Sequence, residues 1–71
     1  MTARTIDAEE MLRVRLEALR CEHRDLDAAI TALEQSGRGD PFTIRRLKKK
    51  KLMLKDLIAR IEDQLTPDII A

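Results

Sequence analysis

Twelve apolar and two polar residues recur in this chain at alternating steps of three and four, over positions 12–33 and again over positions 44–65. This 3.5-residue period places them along one stripe of an α-helix and is typical of a coiled-coil seam. When the chain folds back between Gly37 and Gly39, opposed seam positions have residue numbers that add to 77, as those of Leu33 and Ile44 do. The pattern predicts an all-α fold, an antiparallel two-helix hairpin with a coiled-coil seam. The seam positions are Leu12, Leu16, Leu19, His23, Leu26, Ile30 and Leu33 on the first helix and Ile44, Leu47, Lys51, Leu54, Ile58, Ile61 and Leu65 on the second.

The start of the first helix carries a recognisable capping signal. Asp7 is followed three residues later by Glu10, as in a capping box, and Ile6 and Met11 stand where a hydrophobic staple would close it. We therefore expect a leader over residues 1–6 and a first helix over about residues 7–36.

The turn and the second helix are marked by Gly and Pro. Gly37 suits the left-handed conformation that ends a helix, and Asp40 with Pro41 suits the N-cap and first position of the next one. Pro67 excludes its preceding residue from the helix. These signals predict a turn over residues 37–40, a second helix over about residues 41–65 and a tail over residues 66–71, whose Ile69 and Ile70 the hairpin does not explain.

Length, charge and cysteine content bound the class of protein. A chain of 71 residues forms one domain at most, near the size at which a single core becomes marginal. Cys21 is the only cysteine, which favours a reducing compartment, and the N-terminal residues lack the apolar region of a secretory signal. No apolar run is long enough to cross a bilayer. We expect a cytoplasmic protein with no membrane contact.

The two arms of the hairpin carry opposite charge. Acids outnumber bases by eight to four over residues 7–36, and bases outnumber acids by eight to four over residues 40–65. This complementarity favours antiparallel pairing of the arms. Beside the seam we expect attraction between Asp27 and Lys48 and between Arg13 and Glu62, and repulsion between Arg20 and Lys55.

Two polar residues, His23 and Lys51, interrupt the seam in adjacent layers. Polar residues at such positions specify register at a cost in stability, which is the interpretation that we favour. Lys51 can lay its methylene stem over Leu26 and extend its ammonium group towards Asp27. The alternative is that His23 senses pH or binds a ligand. Cys21 points to a different side of the helix, so the two residues cannot chelate a metal together.

Apolar residues outside the seam suggest a second interface. Helix 1 carries a stripe of mostly small apolar residues on its far side, and helix 2 adds Leu52, Met53 and Leu57. A lone two-helix hairpin is marginally stable, so we expect a homo-oligomer, with a homodimer in a four-helix arrangement favoured; an unknown protein partner is the alternative. The stripe on helix 1 consists of Met11, Val14, Ala18, Cys21, Ala28 and Ala32.

A basic run over residues 45–51 of helix 2 suggests a second class of function, association with nucleic acid. Exposed cations on a helix can contact phosphates and release counterions, but no aromatic residues are interleaved for base stacking and an acidic arm lies alongside. We therefore favour a small non-enzymatic coiled-coil interaction protein over a nucleic-acid-associated accessory protein. No Gly-rich phosphate loop and no set of nucleophile, base or metal ligands is present, so we expect no catalytic site, no cofactor and no metal. The candidate interaction residues are Arg45, Arg46, Lys48, Lys49, Lys50, Leu52, Met53 and Leu57.

Two stretches of the chain resemble a known family. Residues 23–30, followed by Leu33 and Glu34, resemble the first helix of the small bacterial YdcH-like proteins. Residues 44–58 resemble their second helix, in which Leu-Lys-Lys precedes Lys-Leu and Leu-Lys-Asp. The resemblance covers about residues 12–62 and implies a cytoplasmic bacterial helical hairpin of unknown function, with no assigned site residues. His23 and the block from Lys48 to Lys55 fit this pattern, whereas the Ala-rich back of helix 1 does not.

Overall fold

The protein folds as two long α-helices packed against each other, as predicted. This architecture is seen in a computed structural model that describes residues 7–65. Helix α1 spans Ala8–Ser36 and helix α2 spans Pro41–Leu65. The expected leader, the Ile6 staple, and the tail with Ile69 and Ile70 lie outside the described residues. With 29 residues at 1.5 Å each, α1 is about 43 Å long.

Side chains and a glycine satisfy the backbone groups at the ends of α1. The Asp7 carboxylate accepts a 2.8 Å hydrogen bond from the N–H of Glu10, which makes Asp7 the N-cap. At the other end Gly37 adopts φ 72° and ψ 7°, and its N–H reaches the carbonyl of Glu34 at 3.4 Å. The left-handed conformation expected at Gly37 therefore ends the helix.

Helix α2 begins at Asp40 and Pro41. The carboxylate of Asp40 accepts from both the N–H and the hydroxyl of Thr43, each at 3.2 Å. Pro41 occupies the first helical position, where the backbone N–H that proline lacks would have no intrahelical partner. The chain thus reverses direction in four residues, and this short connection makes the two helices antiparallel neighbours.

The seam of the hairpin is the core. All fourteen predicted seam positions are buried or half-buried, and among the other described residues only Gly39, Thr43 and Leu57 lose comparable surface. Ile30 is the most buried of the core residues, at 2% exposure. Burial of a single stripe on each helix is what a two-stranded coiled coil produces. One buried cluster contains Leu16, Leu19, Leu54 and Ile61.

Gly39 allows the backbone of the turn to approach the first layer of the seam. A Cβ atom placed on Gly39 would lie 2.5 Å from Cδ1 of Ile44 and 3.1 Å from Cβ of Leu33. Both side chains of the predicted layer nearest the turn therefore meet at this glycine. Gly39 is needed because a side chain would not fit there, whereas Gly37 is needed because the backbone is left-handed there.

Candidate interaction surfaces

Lys51, the cation in the seam, reaches across the helix pair. Its side chain is 29% exposed, and its Nζ donates a 2.9 Å hydrogen bond to Oδ1 of Asp27 on α1. The hydrogen bond and the positive charge of Lys51 lower the pKa of the Asp27 carboxyl, with a smaller contribution from His23 one turn earlier. The structure thus forms the contact between Lys51 and Asp27 that was expected from the seam pattern.

The other polar seam residue, His23, is half-buried. Within residues 7–65, no group of three or more His, Cys, Asp or Glu side chains is arranged to hold a metal ion. Cys21 is exposed and unbridged. Among the described residues, His23 therefore does not belong to a group of side chains that could hold a metal ion.

One side of the seam carries every ion pair that joins the two helices within the described residues. We call it the charged flank: Arg13, Arg20, Asp27 and Glu34 on α1, with Lys48, Lys55 and Glu62 on α2. Arg20 pairs with Glu62 at 2.7 Å, and Glu34 pairs with Lys48 at 2.8 Å. The Lys51 ammonium joins Asp27 on this same flank.

The ion pairs predicted between residues of the charged flank were wrong, and the observed pairs of Glu62 and Lys48 differ from the predicted ones by one heptad. Asp27 bonds Lys51 rather than Lys48. Arg20, for which repulsion by Lys55 was expected, bonds Glu62, whose predicted partner, Arg13, instead bonds Glu9 within α1 at 2.7 Å. The residue numbers of the observed pairs between flank residues add to 82, whereas those of the predicted pairs add to 75.

The direction of helical side chains explains this correction. Each Cα–Cβ bond tilts towards the N-terminus of its own helix. In this antiparallel pair, the numbers of two opposed seam residues add to 77. Two flanking side chains therefore lean towards each other when their residue numbers add to more than 77. Two flanking side chains lean away from each other when their residue numbers add to less than 77. Arg20 and Glu62 belong to the first group, whereas Arg20 and Lys55 belong to the second.

The other side of the seam, the open flank, has no interhelical ion pair within residues 7–65. It consists of Arg15, Glu22 and Ala29 on α1 with Lys50, Leu57 and Gln64 on α2, bordered by Met11, Ala18, Asp25, Ala32, Arg46 and Met53. Its grooves expose the edges of the seam leucines Leu12, Leu26, Leu47 and Leu54. Leu57 is half-buried and packs against the buried cluster, so the core extends onto this flank.

The three apolar candidates on α2 do not form one surface. Met53, at 60% exposure, borders the open flank beside Leu57. Leu52, at 62% exposure, lies 100° away around the helix, towards the charged flank. The stripe on the far side of α1 is exposed as expected, with Met11 at 57% and Val14 at 63%.

The basic run, residues 45–51, is divided among the charged flank, the open flank and the outer face of α2. Lys48 and Lys51 are paired with acids of α1. The remaining candidates, Arg45, Arg46, Lys49 and Lys50, are exposed and form no ion pair with any described residue. The acids of α1 that reach α2 thus engage Lys48 and Lys51, and leave the cations of the open flank and the outer face available.

Phe42 is a surface residue that the sequence reasoning overlooked. It is 75% exposed, and the guanidinium carbon of Arg45 lies 5.8 Å from the centroid of its ring. A groove of about 410 Å³ is lined by Phe42, Arg45, Arg46 and Lys49. The available signal was an aromatic residue outside the seam with an arginine three positions later, on the same face of the helix.

Together these features describe a helical hairpin with one charged flank, one open flank and a basic outer face. Residues 16–62, two thirds of the chain, match a family described as proteins of unknown function, DUF465. The chain therefore belongs to this family. YdcH is a member of it, which confirms the resemblance to YdcH-like proteins.

Neither a curated protein nor a solved structure matches the chain. Neither helix of the described region, residues 7–65, is long and apolar enough to cross a membrane.

Proposed function

We propose that this protein is a small, non-enzymatic interaction protein of the cytoplasm that assembles as a homodimer through its open flank. Two hairpins would then form a four-helix arrangement. The main support for this proposal is the difference between the two sides of the seam. Ion pairs cover the charged flank, whereas the grooves of the open flank expose seam leucines.

The size of the hairpin supports a second buried surface. The two helices bury one stripe each, and only five apolar residues of the described region are less than one tenth exposed. A chain of this length gains little stability from such a core. Docking of a second copy would cover Leu57, Met53 and the exposed edges of Leu26 and Leu54.

Charge on the open flank favours one arrangement of the two copies. Glu22 and Asp25 lie on its α1 side, whereas Lys50 and Arg46 lie on its α2 side. A two-fold axis parallel to the helices places α1 of one copy over α2 of the other. The acids of each copy then face the cations of its partner, and the interface is isologous.

Sedimentation equilibrium tests the homodimer with a matched pair of variants. Met53→Glu places a charge beside the open flank, and Leu52→Glu places the same charge on a neighbouring residue of nearly equal exposure away from it. We expect dimers for the wild type and Leu52→Glu, and monomers for Met53→Glu, because a buried unpaired charge is costly. A monomeric wild type, or dissociation by Leu52→Glu alone, contradicts the proposal.

A second candidate function, association with nucleic acid, is favoured by the unpaired cations on the outer face of α2 and at its border with the open flank. Phosphate contacts would supply the affinity, so binding would fall steeply with salt and depend little on base sequence. We expect Arg45→Gln, Arg46→Gln, Lys49→Gln and Lys50→Gln together to abolish binding without loss of helical circular dichroism. Binding that survives this change would contradict the use of this surface.

A further inference from the structure

The groove at the start of α2 combines one aromatic ring with three cations. Phe42 contributes the ring, and Arg45, Arg46 and Lys49 contribute the charges. Positions 42, 45, 46 and 49 follow the three- and four-residue spacing of one helical face, so all four side chains project from the outer surface of α2. This face points away from the acidic arm.

The exposure of Phe42 is not explained by the hairpin. The ring lies outside the seam and is more exposed than Met11, Val14, Leu52 or Met53. Its near neighbour is the Arg45 guanidinium, at a distance where cation–π attraction operates. Because the ring remains 75% exposed, it can accept a second flat group.

We propose that this groove binds single-stranded nucleic acid, with a base stacked on Phe42 and the flanking phosphates held by Arg45, Arg46 and Lys49. The proposal rests on the second candidate function and names its ligand class. A ligand that satisfies the groove needs both a π-face and closely spaced negative charges. An unpaired nucleotide strand has both, and stacking on an aromatic side chain is tolerant of base sequence.

A duplex fits the groove less well than a single strand. Bases in a duplex are stacked on one another, so Phe42 gains a base face only if a base pair is opened. Phosphates of a duplex remain available to the three cations. The structure therefore assigns strand preference to Phe42 and general affinity to the cations.

Fluorescence anisotropy with a labelled oligothymidylate and a duplex of equal length tests this assignment at low salt. We expect the single strand to bind more tightly, with a log–log salt slope of about −2 from three phosphate contacts at roughly −0.7 each. Phe42→Leu should weaken single-strand binding at least about fivefold and leave duplex binding unchanged, because stacking contributes about 1–3 kcal/mol per base. Phe42→Trp should retain the preference, and Leu52→Ala serves as the control for an exposed apolar residue.

Each other outcome rejects a specific part of the proposal. Equal loss with Phe42→Leu and Leu52→Ala, or tighter binding of the duplex, overturns the stacking site while the nucleic-acid function survives. Absence of binding to both probes overturns the function and the site together. Phe42-dependent sedimentation with anionic phospholipid vesicles, without oligonucleotide binding, would assign the groove to a lipid surface and reject the proposal.

Discussion

Arg20 on α1 donates a 2.7 Å hydrogen bond to Glu62 on α2, a residue 42 positions later in the chain. The pair between Glu34 and Lys48 repeats this relationship two heptads nearer the turn. Between them, Asp27 occupies the equivalent position on α1 and is held by Lys51. From Arg20 onward along α1, the flank therefore carries one positive and then two negative side chains, and each is paired with an opposite charge on the antiparallel α2. A one-heptad slip would place Arg20 against Lys55 and remove this match.

Charge reversal at the Arg20–Glu62 pair should reveal this register. Arg20→Glu and Glu62→Arg should each lower the free energy of unfolding, and the double variant should recover part of the loss. Because both side chains are nearly half exposed, we expect a coupling energy of about 0.2–1 kcal/mol. Urea unfolding followed by circular dichroism, at fixed protein concentration, measures it. Strictly additive losses, unchanged by high salt, would contradict the ion pair.

The Asp27–Lys51 contact should make stability depend on acid pH. Because the folded-state pKa of Asp27 is lowered, its contribution is present above the ordinary aspartate pKa of about 3.9 and disappears as pH falls through the lower folded value. Asp27→Asn should melt below the wild type at neutral pH, and the two melting curves should converge in acid. In a Lys51→Met background, Asp27→Asn should have little effect at any pH. A constant difference between Asp27→Asn and the wild type would contradict the linkage.

Replacement of Lys51 by Leu should raise the melting temperature and loosen the choice of oligomer. The side chain lies in the seam at 29% exposure, so Leu would add apolar burial, while the exposed Asp27 would regain its hydration. Thermal melting and sedimentation velocity measure the two effects. A fall of several degrees would show that the pair with Asp27 is required for stability.

The two glycines of the turn should differ in what they tolerate. At Gly37, with φ 72°, Ala should cost about 1 kcal/mol or more and Asn should cost less, because Asn enters the left-handed region more readily. At Gly39, Ala and Asn should both destabilise by about 1–3 kcal/mol, because any Cβ would press on Ile44 and Leu33. Urea unfolding of the four single variants distinguishes a conformational requirement from a packing requirement. Equal effects of Asn at Gly37 and Gly39 would contradict this difference between the two glycines.

The helices, their caps and the seam could be predicted because each depends on local chemistry or on a period within one helix. Asp7, Gly37 and Asp40 act through neighbours within three residues. The partners on the charged flank could not be read from heptad position alone, since that position identifies a flank but leaves two candidate neighbours one heptad apart. The tilt of the side chains decides between Lys55 and Glu62 as the partner of Arg20.

The surfaces were harder to predict than the core. Leu52 and Met53 are adjacent in sequence, yet the helix separates them onto different sides, and Phe42 gains meaning only from the cations that line its groove. Such surfaces carry no repeating pattern, because a single ring or an unpaired cation leaves no period in the sequence. Their positions become clear once the ion pairs show which cations are already engaged.

The short turn predicts an order in which the layers of the hairpin form. Leu33 and Ile44 close a short loop around residues 37–40, whereas Leu12 and Leu65 close nearly the whole described chain. Loop closure costs more entropy for a longer loop, and once the layer nearer the turn is in place the next layer has only a few residues left to close. We therefore expect the hairpin to form from Gly39 outward and to fray first at the layer of Leu12 and Leu65. Amide hydrogen exchange should then become faster with distance from the turn along both helices.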